Sequence, residues 1–114
     1  MSQIIVVRDP TSRETLGSYT LDGEMVKAVV DVAQQVMAIG GSLHADEEQM
    51  LLEAGARQQD LWGVNLHLDG PADAWVEFDS MINLRPSQGN RSRGVDDPAL
   101  QEKILTIVKR LVPS

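Results

Sequence analysis

Two runs of strict alternation constrain this chain more than any other feature. Trp62, Val64, Leu66 and Leu68 alternate with Leu61, Gly63, Asn65 and His67. Val76, Phe78, Ser80, Ile82 and Leu84 alternate with Trp75, Glu77, Asp79, Met81, Asn83 and Arg85. A period of two is the pleat of a strand with one buried face. Asp69-Gly70-Pro71 lies between the runs and reads as a turn, and Arg85-Pro86 ends the second. Antiparallel strands over 61–68 and 75–84 are expected.

Residues 25–43 allow two readings. Met25, Val29, Val32, Val36 and Ile39 fall on one helical face, yet Val26, Ala28, Val30 and Val32 also alternate. The wealth of valine and the Gly40-Gly41 pair favour a hairpin, Met25–Val32 and Val36–Leu43 around Ala33-Gln34-Gln35, over a helix. Ile4–Val7 is a further short strand, closed by Asp9-Pro10.

Three helices complete the pattern. Thr11-Ser12-Arg13-Glu14 matches a capping box, with Thr11 as cap, and Gly17 ends that helix early. Asp22-Gly23 is a turn. Asp46 is expected to cap a second helix, with Gln49 closing its box, Glu47 and Glu48 beside the positive end of the dipole, and Gly55 as stop. Asp97 caps the third, Pro98 takes its first position, and Leu100, Ile104, Ile107, Val108 and Leu111 form its stripe. The fold class is α+β: one domain over 1–114, a mainly antiparallel four- to five-stranded sheet with helices packed on one face.

Residues paired across a hairpin share a face. Even-numbered positions of the second hairpin then point to the core, together with Val26, Ala28, Val30, Val32, Met37, Ile39 and Leu43. The opposite face collects Lys27, Asp31, His44, Asn65, His67, Glu77, Asp79, Asn83 and Arg85, and Trp75 falls on it too. That face is either the wet side of the sheet or the floor of a ligand or subunit site.

The chain has 114 residues, no cysteine and a formal charge of -7. Thiol nucleophiles and cysteine-ligated metals are excluded, and a reducing, cytoplasmic setting is expected. Four apolar residues after Gln3 are too few for a signal peptide, and no stretch is long enough to span a membrane. An acidic surface disfavours nucleic acid as partner.

One segment breaks the acidity. Arg85-Pro86-Ser87-Gln88-Gly89-Asn90-Arg91-Ser92-Arg93-Gly94 holds three arginines and no acid. Guanidinium forks and glycine-exposed amides suit phosphate or carboxylate. The segment lacks the Gly-Lys-Ser/Thr ending of a nucleotide P-loop. Its arginines either bind an anion or pair with Asp79, Asp96, Asp97 or the acidic helix and pin the loop, with an RNA contact a distant third. The expected ligand residues are Asn65, Asn83, Arg85, Gly89, Asn90, Arg91 and Arg93. His44, before a helix N-terminus, is expected to be neutral and able to act as a base. With Glu77 and Asp79 it forms the catalytic candidate set, and these three could ligate a metal only if the two hairpins are adjacent. No metal or cofactor is expected. The partners expected are an anionic small molecule, or a second copy of the chain.

Met37-Ala38-Ile39-Gly40-Gly41-Ser42-Leu43-His44-Ala45-Asp46, Gln59-Asp60-Leu61-Trp62-Gly63 and the run from Glu77 through Arg85-Pro86-Ser87-Gln88-Gly89-Asn90-Arg91-Ser92 together resemble a family of small prokaryotic proteins catalogued as a domain of unknown function. The resemblance spans most of the chain and is densest from Met25 to Arg93. The segment between Arg13 and Gly23 is shorter than the family's. Kinship and similar length are implied; no activity comes with them.

Overall fold

A computed structural model of the chain describes residues 3–20 and 24–113. The strands are β1 (Ile5–Val7), β2 (Met25–Asp31), β3 (Val36–Ile39), β4 (Leu61–His67) and β5 (Val76–Glu77). The helices are α1 (Arg13–Gly17), α2 (His44–Glu53) and α3 (Pro98–Leu111). The strands form one sheet in the order β1-β3-β2-β4-β5, every pair antiparallel. The α+β class holds, with five strands. No helix among the described residues is long and apolar enough to cross a membrane.

The alternation sets the register. Val26 faces Leu66, Ala28 faces Val64 and Val30 faces Trp62, while Ala28 and Val30 meet Ile39 and Met37 on the other side. Even positions thus share a face, and Leu16 of α1 joins Ile104, Ile107, Val108 and Leu111 of α3 in covering it. Residues 25–39 form the hairpin. Its second strand ends at Ile39 instead of continuing to Leu43, because Gly40 departs at positive φ, and Leu43 is exposed rather than on the core face. Asp31 does not join a polar face. Its carboxylate accepts the N–H groups of Ala33 and Gln34 and closes the hairpin turn.

Helices α1 and α3 lie on the expected face, whereas α2 crosses the other. There Leu51 packs with Val29, Val36, Ala38 and Leu61. This second face, which carries the odd positions of β2 and β4 and the even positions of β3, is therefore half apolar, and it stays polar from Lys27 towards β5. Trp75 is not on it either: the ring is buried in the main core under the Arg13 guanidinium, whose carbon stands 4.1 Å from the ring centroid.

The predicted strand over 75–84 is cut to two residues. After Phe78 the chain turns away, with Ser80 Oγ accepting from the Ile82 N–H and one tight turn over Met81–Asn83. Asn83 replaces the missing strand. Its Oδ1 accepts from the Gly63 N–H at 2.8 Å and its Nδ2 donates to the Gly63 carbonyl at 2.9 Å. Two caps also shift. Ser12, not Thr11, caps α1. Helix α2 starts at His44 with Leu43 as an N-cap that makes no side-chain bond, so Asp46 lies within the first turn. Asp97 and Pro98 begin α3 as the sequence predicts. The Asp22-Gly23 turn lies outside the described residues.

Candidate functional site

The first turn of α2 lies close over the sheet because two glycines leave room. His44 and Glu47 are three residues apart and share a helix face. A Cβ on Gly63 would stand 2.6 Å from Ser80 Oγ and 3.1 Å from the His44 ring. One on Gly41 would stand 2.9 Å from Glu47 Cγ. A side chain at Gly63 would displace Ser80 and press on the His44 ring, and one at Gly41 would push on the Glu47 side chain.

Glu47 is fully buried. Its Oε2 accepts from the Gly41 N–H at 3.0 Å, and its Oε1 has no hydrogen-bond partner. Burial pushes its carboxyl up to about 9, against the opposing pull of the Gly41 N–H and the Lys27 charge. Glu47 is thus a neutral acid at neutral pH. His44 is buried as well, and its Nε2 lies 2.9 Å from the Val64 carbonyl. A carbonyl only accepts, so Nε2 carries a proton and Nδ1 is a free acceptor when the ring is neutral. Burial lowers the His44 pKa. The Val64 bond and Asp79 oppose that shift, and the charges of Lys27 and Arg93 add to it.

Beside this turn a polar row crosses three strands. Lys27 of β2 faces Asn65 of β4, and Asn65 faces Glu77 of β5. Asn65 Nδ2 donates to Glu77 Oε1 at 3.0 Å and to the Asp79 carbonyl at 3.2 Å, while its buried Oδ1 has no partner. His67 lies 3.1 Å from Glu77 Oε1 at the exposed end of the row. The bonds from Asn65 and His67 hold the Glu77 carboxyl below its ordinary value. Lys27 is half-buried and forms no hydrogen bond or ion pair among the described residues. Asp79 pairs with Arg93 at 2.8 Å, both exposed.

The arginine segment is mostly pinned. Arg85 donates to the carbonyls of Ile82, Gln58 and Leu61, meets Glu48 at 3.3 Å and lies over the Trp62 ring. With its side chain only 10 % exposed, Arg85 is a strut and offers no free fork. Asn90 Nδ2 donates to the carbonyls of Asn83, Ser92 and Gly94, and its Oδ1 accepts from the Asp96 N–H. Asp96 in turn accepts from the Arg91 N–H and from Ser92 Oγ. Gly89 takes a left-handed turn position with open space around it. Asp97 serves only α3. Arg91 alone of the three presents a guanidinium that no described residue binds, and Arg93 is held through its Nε only.

The structure therefore brings His44, Asn65, Glu77, Asp79 and Arg93 into one neighbourhood. It commits Asn83, Arg85 and Asn90 to internal bonds. The hairpins are adjacent, yet no group of three or more His, Asp and Glu side chains among the described residues could hold a metal ion. Lys27, which the sequence places on this face without a role, joins the site, and so does Glu47, which the sequence reads only as a residue of the helix's first turn. The signal for Glu47 was its spacing from His44, read together with Gly40-Gly41. Two large apolar side chains adjoin the site in the open: Leu43 is 56 % exposed and Met81 62 %. A groove of about 580 Å³ opens elsewhere, between β5 and the C-terminal half of α3, lined by Trp75, Val76, Phe78, Leu105, Val112 and Pro113.

Three stretches distant in sequence thus close one seam: Gly41 to Asp46, Leu61 to Gly63, and Glu77 to Ser92. The chain belongs to the family described as "Protein of unknown function (DUF5674)", which it matches over residues 5–111. No curated protein and no solved structure matches it.

Proposed function

Since family membership brings no activity with it, we propose from the geometry that this protein binds a small phosphate- or carboxylate-bearing molecule on the polar part of its sheet. Lys27 and Arg93 attract the anion, Arg91 adds charge from the neighbouring loop, and the neutral His44 serves any proton transfer. Arg85, Asn83 and Asn90 hold the frame.

One observation carries this reading. In a chain with a net charge of -7, the half-buried Lys27 has no acid bound to it among the described residues, and Glu47, the buried carboxyl that its charge acts on, is kept neutral by burial. An unpaired cation beside groups with displaced pKa values is a common mark of a working site. A cysteine-free chain suits a reducing cytoplasm as the place for it.

Thermal denaturation with inorganic phosphate, pyrophosphate and a set of small carboxylates tests the proposal. A ligand at a hundred times its Kd adds about 2.7 kcal/mol of stability. Lys27→Met should remove that gain without lowering the melting temperature of the free protein. No gain with any of these anions refutes it. The exposed Leu43 and Met81 favour a second reading, an interaction module that docks a partner or a second copy there. Light scattering that shows a monomer at high concentration removes the second copy.

A further inference from the structure

We infer that the ligand of this face carries a hydrogen-bond donor beside its anionic group, the pattern of a small carboxylate with an adjacent hydroxyl or amine. The inference rests on the anion-binding reading above and adds the donor to it. Asn65 is only 7 % exposed, and its Oδ1 has no partner. Buried polar atoms are almost always paired, so one that is not calls for an explanation, such as a bound molecule that the protein alone does not supply.

The amide cannot satisfy itself by turning over. Its Nδ2 donates to Glu77 Oε1 and to the Asp79 carbonyl, both acceptors. A flipped amide would set oxygen against oxygen at both contacts. The oxygen is therefore fixed on the side away from β5, and the next strand on that side is β2, where Lys27 stands directly opposite. Directly opposed residues have Cβ atoms about 4.5–5.5 Å apart. A molecule that serves both must bring donor and anion within a few bonds of each other.

A second buried oxygen lies on the far side of Lys27. Beyond β2 the chain runs from Ile39 into Gly40-Gly41, whose amide Glu47 holds with one oxygen while the other is unpartnered. A protonated Glu47 offers an O–H there. The site then holds an ammonium and an O–H for an anion, and one amide oxygen for a donor. Acetate would leave Asn65 unanswered; a neutral diol would leave Lys27 unanswered.

Nitrogen–proton NMR titration of the full chain with acetate, glycolate, glycine, inorganic phosphate and ethylene glycol tests this. Glycolate or glycine should bind about tenfold more tightly than acetate, the worth of one satisfied hydrogen bond, with shifts centred on Gly41, Gly63 and Asn65. Asn65→Ala should bring glycolate down to the acetate level. Acetate binding as well as both glycolate and glycine, with Lys27→Met abolishing all three, overturns the donor while the anion reading stands. Silence from every anion overturns both. Binding untouched by Lys27→Met places the anion elsewhere and also overturns the inference. If Asn65→Ala does not fold, the preference of the wild-type protein for glycolate over acetate still decides.

Discussion

Replacing Glu47 with glutamine tests the electrostatics of the seam directly. In the unfolded chain this carboxyl ionises near 4.5, whereas in the folded protein burial holds it protonated up to about 9. The folded state therefore binds the extra proton between those values. Stability falls as pH rises through that window and levels off above it. Each pH unit costs about 1.4 kcal/mol for one group. At about pH 7.5, three units into the window, the wild-type protein should carry a penalty of roughly 4 kcal/mol, taken as an upper bound because the helix end can relax. Glutamine keeps an oxygen for the Gly41 N–H and removes the ionisation. Glu47→Gln should match the wild type at about pH 4.5 and exceed it by up to about 4 kcal/mol at pH 7.5. Urea unfolding of both proteins across that range reads the difference. Every other titrating group is common to the two, so the comparison isolates Glu47. Parallel curves for the two proteins would refute the buried, neutral carboxyl.

The ring protons of His44 should titrate below 6.5 by NMR, since burial disfavours the charged imidazole; a midpoint at or above 6.5 contradicts its placement. The same shift means that His44 withholds stability as pH falls below 6.5, where the unfolded chain takes up its proton and the folded one does not. Arg85→Ala should cost about 3–5 kcal/mol in urea unfolding, because it leaves the partly buried Glu48 without its cation and takes a donor from the carbonyls of Ile82, Gln58 and Leu61. Arg91→Ala should stay within about 0.5 kcal/mol of wild type while weakening anion binding; a large loss would show that its guanidinium is a strut as well. Gly63→Ala should destabilise by about 1–3 kcal/mol as its methyl meets Ser80 and the His44 ring, with the His44 resonances displaced; unchanged resonances would contradict the close approach.

The parity of the strands was legible because a period of two leaves no freedom. Once Trp62, Val64 and Leu66 are assigned to the core, any strand beside them must set its own core residues opposite, as Val30 does to Trp62; that β2 is this neighbour, parity does not say. The same logic overreached at residues 78–84. Alternation continues there in the sequence, but Asn83 can donate and accept through its side chain as a strand does through its backbone. It satisfies Gly63 both ways and frees the chain to turn. Nothing in a hydropathy pattern distinguishes such an asparagine from one on a strand. The composition of the arginine segment is compatible with pinning as well as with anion binding. Choosing between them needed the carbonyls of Gln58 and Leu61, which no spacing in the sequence brings to mind.

The site was half legible for a related reason. Asp46-Glu47-Glu48 reads as a solvated first turn when only the helix dipole is considered. Glu47 is buried because Gly41, six residues earlier, lacks the side chain that would push it out. Burial here is a property of the pair. Much of what makes these stretches distinctive is then spent on holding the seam: Asn83 on Gly63, Asn90 on its own loop, Arg85 across Trp62. After those bonds are made, the groups of the site that keep unused capacity among the described residues include the Lys27 ammonium, His44 Nδ1, Asn65 Oδ1, Glu47 Oε1 and the Arg91 guanidinium. A frame this heavily cross-bonded around a cluster with unmet hydrogen-bonding capacity is the arrangement that a preorganised binding site requires. A protein that used this seam only to stabilise its fold would gain from filling those positions with aliphatic side chains instead.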